Sequence, residues 1–299
     1  MQNTSPTLVI GISSRALFNL SKENELFEQE GAEVYKQYQI TNEEVLLEPG
    51  TGFQLVESLL KLNNYVQNQR LVDVVIMSRN SSEISLRLFN SVSYYNLDIA
   101  RAVFTTGAPL APYLHAFNVN LFLSAHLEDV QGAIDAGFAS AMIFPFNSKP
   151  QSPLHQIRIA FDGDAVLFSE ESENIFQNEG IDSFIEHERK NAKNPLPKGP
   201  FAPFLHQLAK VQSLLPPDTE LIRTALITAR DSNVHERVIR TLRSWNIIVN
   251  ETFFMGGLSK SKVLEAFGAH IFFDDQIAHL EPASKIVPTA LVPHPSKRI

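Results

Sequence analysis

IRIAFDGDAVLF (157–168) decides how this chain is to be read. Ile157–Phe161 is an apolar run broken by one arginine, the composition of a strand buried on both faces. It stops at Asp162-Gly163-Asp164. That stop puts two carboxylates at the C-terminal end of a strand, the edge at which open α/β sheets bind ligands. Gly163 lets the chain turn sharply and brings backbone N–H groups close to an anion. Two carboxylates two residues apart can divide the work, one attacking or binding metal and the other moving protons. Asp-Gly is also a common turn pair, so the stretch needs company before it means chemistry.

Outward from this stretch, strand-length apolar runs alternate with amphipathic helical segments. Strands are expected at 7–12, 73–77, 101–104, 121–123, 158–161, 224–227, 252–254 and 270–273. Helices are expected at 52–62, 83–94, 130–136, 201–214, 234–245 and 260–267. Such alternation means an α/β fold with a mostly parallel sheet.

The second half repeats the first. Shifted by 149 residues, ALFNLSKENELFEQEG (16–31) lies over AVLFSEESENIFQNEG (165–180). After one single-residue gap, VVIMSRNSSE (74–83) lies over TALITARDSN (224–233), and GAPLAPYLHAFNVNLFLSA (107–125) over GLSKSKVLEAFGAHIFFDD (257–275). Blocks that keep their order with a drift of one residue are expected from an internal duplication. Two tandem Rossmann-like halves follow, 1–150 and 151–299, joined by a polar, proline-containing linker at 147–153.

The repeat supplies its own control, because shared residues are scaffold and differing strand ends point to chemistry. Asp162 faces Ser13, Asp164 faces Arg15, Lys260 faces Leu110, and Asp274 and Asp275 face Ser124 and Ala125. Thr228 faces Ser78, so a hydroxyl is kept in both halves. The second half therefore holds four carboxylates and a lysine that the first half lacks. With Asp162, the pair Asp274-Asp275 makes an oxygen-only site, which suits Mg²⁺. Without a cation these acids would raise one another's pKa. Thr228 ends a strand beside free amides that can hold a phosphate oxygen, and Lys260 follows Gly256-Gly257 in a short loop where its charge can neutralise phosphate. Each residue alone fits a turn, a helix cap or a solvated surface; together they line one sheet edge.

Composition agrees. The 299 residues are 44% hydrophobic and 19% charged, as in an ordinary globular protein. The chain has no cysteine, which excludes disulfides, thiolate metal sites and a cysteine nucleophile. A net charge of −8 argues against a nucleic-acid polymer as partner. No signal peptide and no membrane-length apolar run is read, so a cytoplasmic location is expected.

FDGDAVLF (161–168), ITAR (227–230), Lys260 and FFDDQ (272–276) resemble the four motifs of the haloacid dehalogenase-like phosphatase superfamily. SSRALF (13–18), FDGDAVLFSEES (161–172), TLRSW (241–245) and HIFFDDQ (270–276) resemble more closely the cytosolic 5'-nucleotidase type I family. The likeness runs over nearly the whole chain. It implies Mg²⁺-dependent hydrolysis of nucleoside 5'-monophosphates, with AMP or deoxynucleotides as substrates. It implies Asp162 as nucleophile, forming an aspartyl-phosphate, and Asp164 as the acid and base. Thr228 and Lys260 would hold the phosphoryl oxygens, with Gly163, Ala229 and Arg230 beside the substrate. Asp162, Asp164, Asp274 and Asp275 would form the metal site. One departure is Ala165, where the superfamily has Thr or Val. A helical cap is expected at about 169–198, with Gly180, Pro195, Pro197 and Gly199 as candidate hinges. In the first half, Ser13, Arg15, Ser78 and Asn80 are candidates for binding a nucleotide effector. The histidines, His279 and His270 among them, are read as structural. Phosphatase action on another small phosphate ester, or nucleotide binding without turnover, remain the alternatives, and a homo-oligomer is left open.

Overall fold

Runs of β-branched and aromatic residues become strands where both faces can be buried. The computed structural model of the protein describes residues 5–146 and 156–296. Its strands are β1 (Leu8–Ile12), β2 (Phe18–Asn19), β3 (Glu48–Pro49), β4 (Val72–Ser78), β5 (Arg101–Phe104), β6 (Leu121–Ser124), β7 (Ser140–Ile143), β8 (Ile157–Phe161), β9 (Ile222–Thr228), β10 (Glu251–Phe254), β11 (Ile271–Asp274) and β12 (Thr289–Leu291). The fold is α/β. Ten strands make one sheet in the order β10-β9-β8-β11-β12-β7-β6-β1-β4-β5, and β2 and β3 form a separate pair. The expected strands all appear, with ends moved by one or two residues. The small β2–β3 pair and the strands β7 and β12 were not anticipated. The linker expected at 147–153 lies outside the described residues.

Every pairing in the large sheet is parallel except one. β7 and β12 run antiparallel, with Ala290 opposite Ile143 and Leu291 opposite Met142. Counted outward from this seam, each side has the same arrangement: β7-β6-β1-β4-β5 on one and β12-β11-β8-β9-β10 on the other. The antiparallel seam turns the two sides head to tail. The C-terminal strand ends of the first half therefore open at the sheet edge opposite to those of the second.

Local geometry matches across the seam as well. The chain breaks its helical direction at Gly31 (φ 84°) within Ser21–Thr41, and at Gly180 (φ 86°) between Glu171–Glu179 and Ile181–Lys190. Both glycines adopt a conformation that side chains rarely allow. Gly107 N–H reaches Arg79 O, as Gly257 N–H reaches Ala229 O. A single apolar cluster runs from Leu8 through Phe161 to Val292, so the two sides share a core. Among the described residues no helix is long and apolar enough to cross a membrane.

Candidate active site

β8 delivers Asp162. Its backbone N–H donates to Phe273 O at 2.8 Å, which ties the end of β8 to the end of β11. Beneath the pair, Phe161 stacks on Phe273 at 5.6 Å between centroids, and Phe201 closes on Phe273 at 4.7 Å. These rings belong to the buried core that holds the ends of β8 and β11 in place. After Asp162 the chain turns through Gly163 and then Ala165, which has a left-handed φ of 60°. A Cβ on Gly163 would come within 3.3 Å of both Cβ and Oγ1 of Thr228, so glycine allows β9 to close here.

β9 ends in Thr228, whose hydroxyl accepts from Arg230 N–H at 3.2 Å. The following loop is clipped to the lysine loop: Met255 N–H donates to Thr228 O and Gly256 N–H to Arg230 O. That clip carries Lys260 inward. Its ammonium donates to Asp162 Oδ1 and to Asp274 Oδ2, each at 2.6 Å, and all three side chains are buried.

Asp162, Asp274 and Asp275 each offer a carboxylate oxygen, and these oxygens lie within 4.8 Å of one another. Asp275 Oδ1 is buried without a hydrogen-bond partner among the described residues. A hard, oxygen-only set with an orphaned acceptor fits a divalent cation such as Mg²⁺. Burial pushes Asp162 well above the usual carboxylate range, against the pull of Lys260. Burial acts on Asp274 in the same direction, but a hydrogen bond from His279 and the charge of Lys260 bring it below its ordinary value. Burial also raises Asp275, opposed by a bond from His294.

Asp164 does not join this cluster. Arg230 holds both of its oxygens, Nη2 to Oδ1 at 2.6 Å and Nε to Oδ2 at 2.8 Å. Arg230 also donates to Glu188 Oε2 at 2.5 Å, and Glu188 Oε1 accepts from Arg237 at 2.8 Å and from Ser172 at 2.8 Å. Glu188 sits on the helix Ile181–Lys190, in the segment expected as a cap. Burial would raise Glu188, yet the charge of Arg230 holds it below its usual value. Buried charges therefore tie the helix Ile181–Lys190 through Arg230 to Asp164. Of the candidate hinges, Gly180 is the helix break described above. Gly199 is packed tight: a Cβ there would meet Phe168 O at 2.3 Å.

Of the residues expected at the site, Asp162, Gly163, Thr228, Lys260, Asp274 and Asp275 meet at one strand edge. Ala229 contributes its carbonyl to the loop clip, and Arg230 faces Asp164 and the cap. Three further groups were missed. Glu188 lay in a charged helix with no motif. His279, read as structural, bonds Asp274 at 3.2 Å. His294 bridges Asp275 at 3.2 Å and Glu170 at 3.1 Å. The +5 spacing of His279 from Asp274, one helical turn past a strand end, was the one signal available.

The family description 5'-nucleotidase matches residues 1–298. The chain belongs to the 5'-nucleotidase family. Human cytosolic 5'-nucleotidase 1B, a member by name, is 40% identical over 289 residues. That alignment covers 93% of this chain and 47% of the human protein, so the chain spans about half the length of the curated relative it matches. Among solved structures, a histidinol dehydrogenase from Elizabethkingia anophelis covers 96% of this chain and 80% of its own, at 6% identity and a TM-score of 0.21. A likeness that low carries no argument about this 5'-nucleotidase family member.

Proposed function

We propose that the chain hydrolyses nucleoside 5'-monophosphates, with AMP or deoxynucleotides as substrates, to nucleoside and phosphate in a Mg²⁺-dependent reaction. The observation that carries this reading is the buried Lys260 ammonium between Asp162 and Asp274, beside the unpartnered oxygen of Asp275. Phosphoryl transfer asks a protein mainly for positioning and positive charge. Asp162, Asp274 and Asp275 would hold the ion, which when bound supplies charge beside the phosphoryl oxygens. Lys260 supplies a second charge, and the Thr228 hydroxyl a hydrogen bond.

Asp162 is the nucleophile in this reading. Its carboxylate oxygen bonds to phosphorus as the bond to the 5'-oxygen breaks, and Asp164 donates a proton to that leaving oxygen. Water then attacks phosphorus, Asp164 takes a proton from it, and the Asp162–phosphorus bond breaks to release phosphate. Two smaller barriers replace one large one. Asp164 reaches a substrate only by leaving Arg230, so opening of that tie and proton transfer belong to one event. Residues 151–299 carry this chemistry, with 169–198 as cap. Residues 1–150, which lack the acids and the lysine at the matching positions, are a non-catalytic repeat of common origin. The relative's cytosolic name favours a cytoplasmic setting.

The test is phosphate release across nucleoside monophosphates and sugar phosphates, with Mg²⁺ and with chelator. Release from nucleotides that chelator abolishes is the expected result. A preference for sugar phosphates would move the substrate class, and no release from any ester in Mg²⁺ would make the protein a binder.

A further inference from the structure

Beyond β12 the chain continues as Val292-Pro293-His294-Pro295-Ser296. Proline fixes its own φ, and the residue before a proline is kept extended. His294 stands between two prolines, so its backbone has little freedom to lose when it is tied down. The segment begins against the second half, where Val292 N–H donates to Asp274 O at 2.9 Å. It then docks on the first half. Gln131 Nε2 donates to His294 O at 2.9 Å, and Ser296 N–H donates to Asp135 Oδ1 at 2.7 Å. Gln131 also donates to Asp135 Oδ1 at 3.0 Å. These two residues lie four apart on the helix Leu127–Asp135, so they share one face and grip the segment together.

With its backbone held by the first half, His294 offers its ring to the second. Nε2 lies 3.2 Å from Asp275 Oδ2, and Nδ1 lies 3.1 Å from Glu170 Oε2. The Asp275 side chain is 3% exposed. Its other oxygen, Oδ1, has no partner among the described residues. One oxygen is thus pinned and the other left as an acceptor, in a residue that offers an oxygen within 4.8 Å of those of Asp162 and Asp274. A partner on the far side of a ligand fixes its orientation and tunes the ion it holds.

The first half serves as a control. The sheet register sets Leu291 beside Asp274 and Met142 beside Ser124. Counted onward from these pairs, His294 corresponds to Pro145 and Asp275 to Ala125. The imidazole and the carboxylate are present together in one half and absent together from the other.

We propose that His294 is a positioning residue for the metal site: anchored by Gln131 and Asp135 of the first half, it orients Asp275 and thereby sets the affinity of the second half for Mg²⁺. This rests on the reading of Asp162, Asp274 and Asp275 as a Mg²⁺ site. It gives the first half a part in that site without any catalytic group of its own.

Melting midpoints of the full chain across a Mg²⁺ series, with no nucleotide present, give the apparent dissociation constant of the ion. The midpoint in chelator establishes that each variant is folded. His294→Ala should weaken Mg²⁺ by about ten- to a hundredfold, the usual loss when a ligand's outer partner is removed. His294→Gln should recover most of the affinity, because its amide can donate from the place of Nε2. Asp135→Ala should weaken Mg²⁺ by about two- to tenfold, the scale of a hydrogen bond lost from the anchor. A destabilised segment with no part in the metal site would lower the chelator midpoint and leave the Mg²⁺ constant alone. Unchanged or tighter Mg²⁺ binding in folded His294→Ala would overturn the proposal and leave the metal site standing. Equal losses in His294→Ala and His294→Gln would overturn the hydrogen bond as the cause. Full affinity in Asp135→Ala would overturn the anchoring by the first half. A wild type that does not respond to Mg²⁺ would instead overturn the metal site itself, and this proposal with it.

Discussion

Replacing Lys260 by methionine removes one buried charge and keeps most of the side-chain volume. The lost ammonium lies 2.6 Å from Asp162 Oδ1 and 2.6 Å from Asp274 Oδ2, and 5.5 Å from the centre of the Phe272 ring. Breaking a buried ion pair costs about 3–5 kcal/mol, because the partner's charge is left uncompensated. Two carboxylates lose the same cation here, so the upper half of that range applies. For a chain of this length one kcal/mol moves the melting midpoint by roughly 2 °C. The variant should therefore melt about 8–10 °C below the wild type in chelator. Mg²⁺ should then stabilise the variant more than the wild type, since a divalent ion resupplies the cation the acids have lost. An ion at a thousandfold its dissociation constant contributes about 4 kcal/mol. Turnover should fall by about 10²–10³-fold, the scale of losing one group that stabilises transition-state charge. Scanning calorimetry in chelator and across a Mg²⁺ series reads the first two effects, and phosphate release reads the third. A midpoint within roughly 2 °C of wild type in chelator, or equal Mg²⁺ shifts in both proteins, would refute the reading of these acids as a lysine-balanced metal site.

Asp162→Asn should reduce phosphate release below ~10⁻⁴ of wild type, and near-normal release from the purified variant would remove Asp162 as nucleophile. Glu188→Gln leaves Arg230 and Arg237 without their shared carboxylate and should cost about 3 kcal/mol or more in urea unfolding. Its kcat should fall with little change in KM, because Asp164 loses its positioning; an unchanged kcat would separate Glu188 from proton transfer. Burial, then the charge of Arg158, holds His270 down to about 4 from 6.5, and its Nε2 has no partner among the described residues. The unfolded chain accepts a proton below pH 6.5 that the folded chain refuses. Stability should thus fall as pH drops from 6.5 to 4, by about 3 kcal/mol in all from this group. Urea unfolding of wild type and His270→Gln at pH 7 and pH 4.5 checks it, and equal slopes in both would exclude His270 as the cause.

Largely apolar runs such as Ile157–Phe161 and Val72–Ser78 are strands in an α/β setting, because such a run is buried on both faces of a parallel sheet. That is why the strands, the alternation and the order Asp-x-Asp, Thr, Lys, Asp-Asp were legible in the sequence. The shift that sets Asp162 against Ser13 and Lys260 against Leu110 is an expectation from the chain alone, since it needs no coordinates. β7 and β12 were not legible. Ser140–Ile143 and Thr289–Leu291 are four and three residues long, and each is a strand through its pairing on both sides, β7 with β6 and β12, and β12 with β11 and β7. The same dependence hid Glu188, His279 and His294. A glutamate in a charged helix becomes the anchor of Arg230 only when residues 42 apart in the chain are brought together, and His294 meets Asp275 in the same way. Sequence determined the elements and the chemical inventory through short-range burial and composition. Tertiary structure decided which charges face each other, because that depends on contacts between residues far apart in the chain.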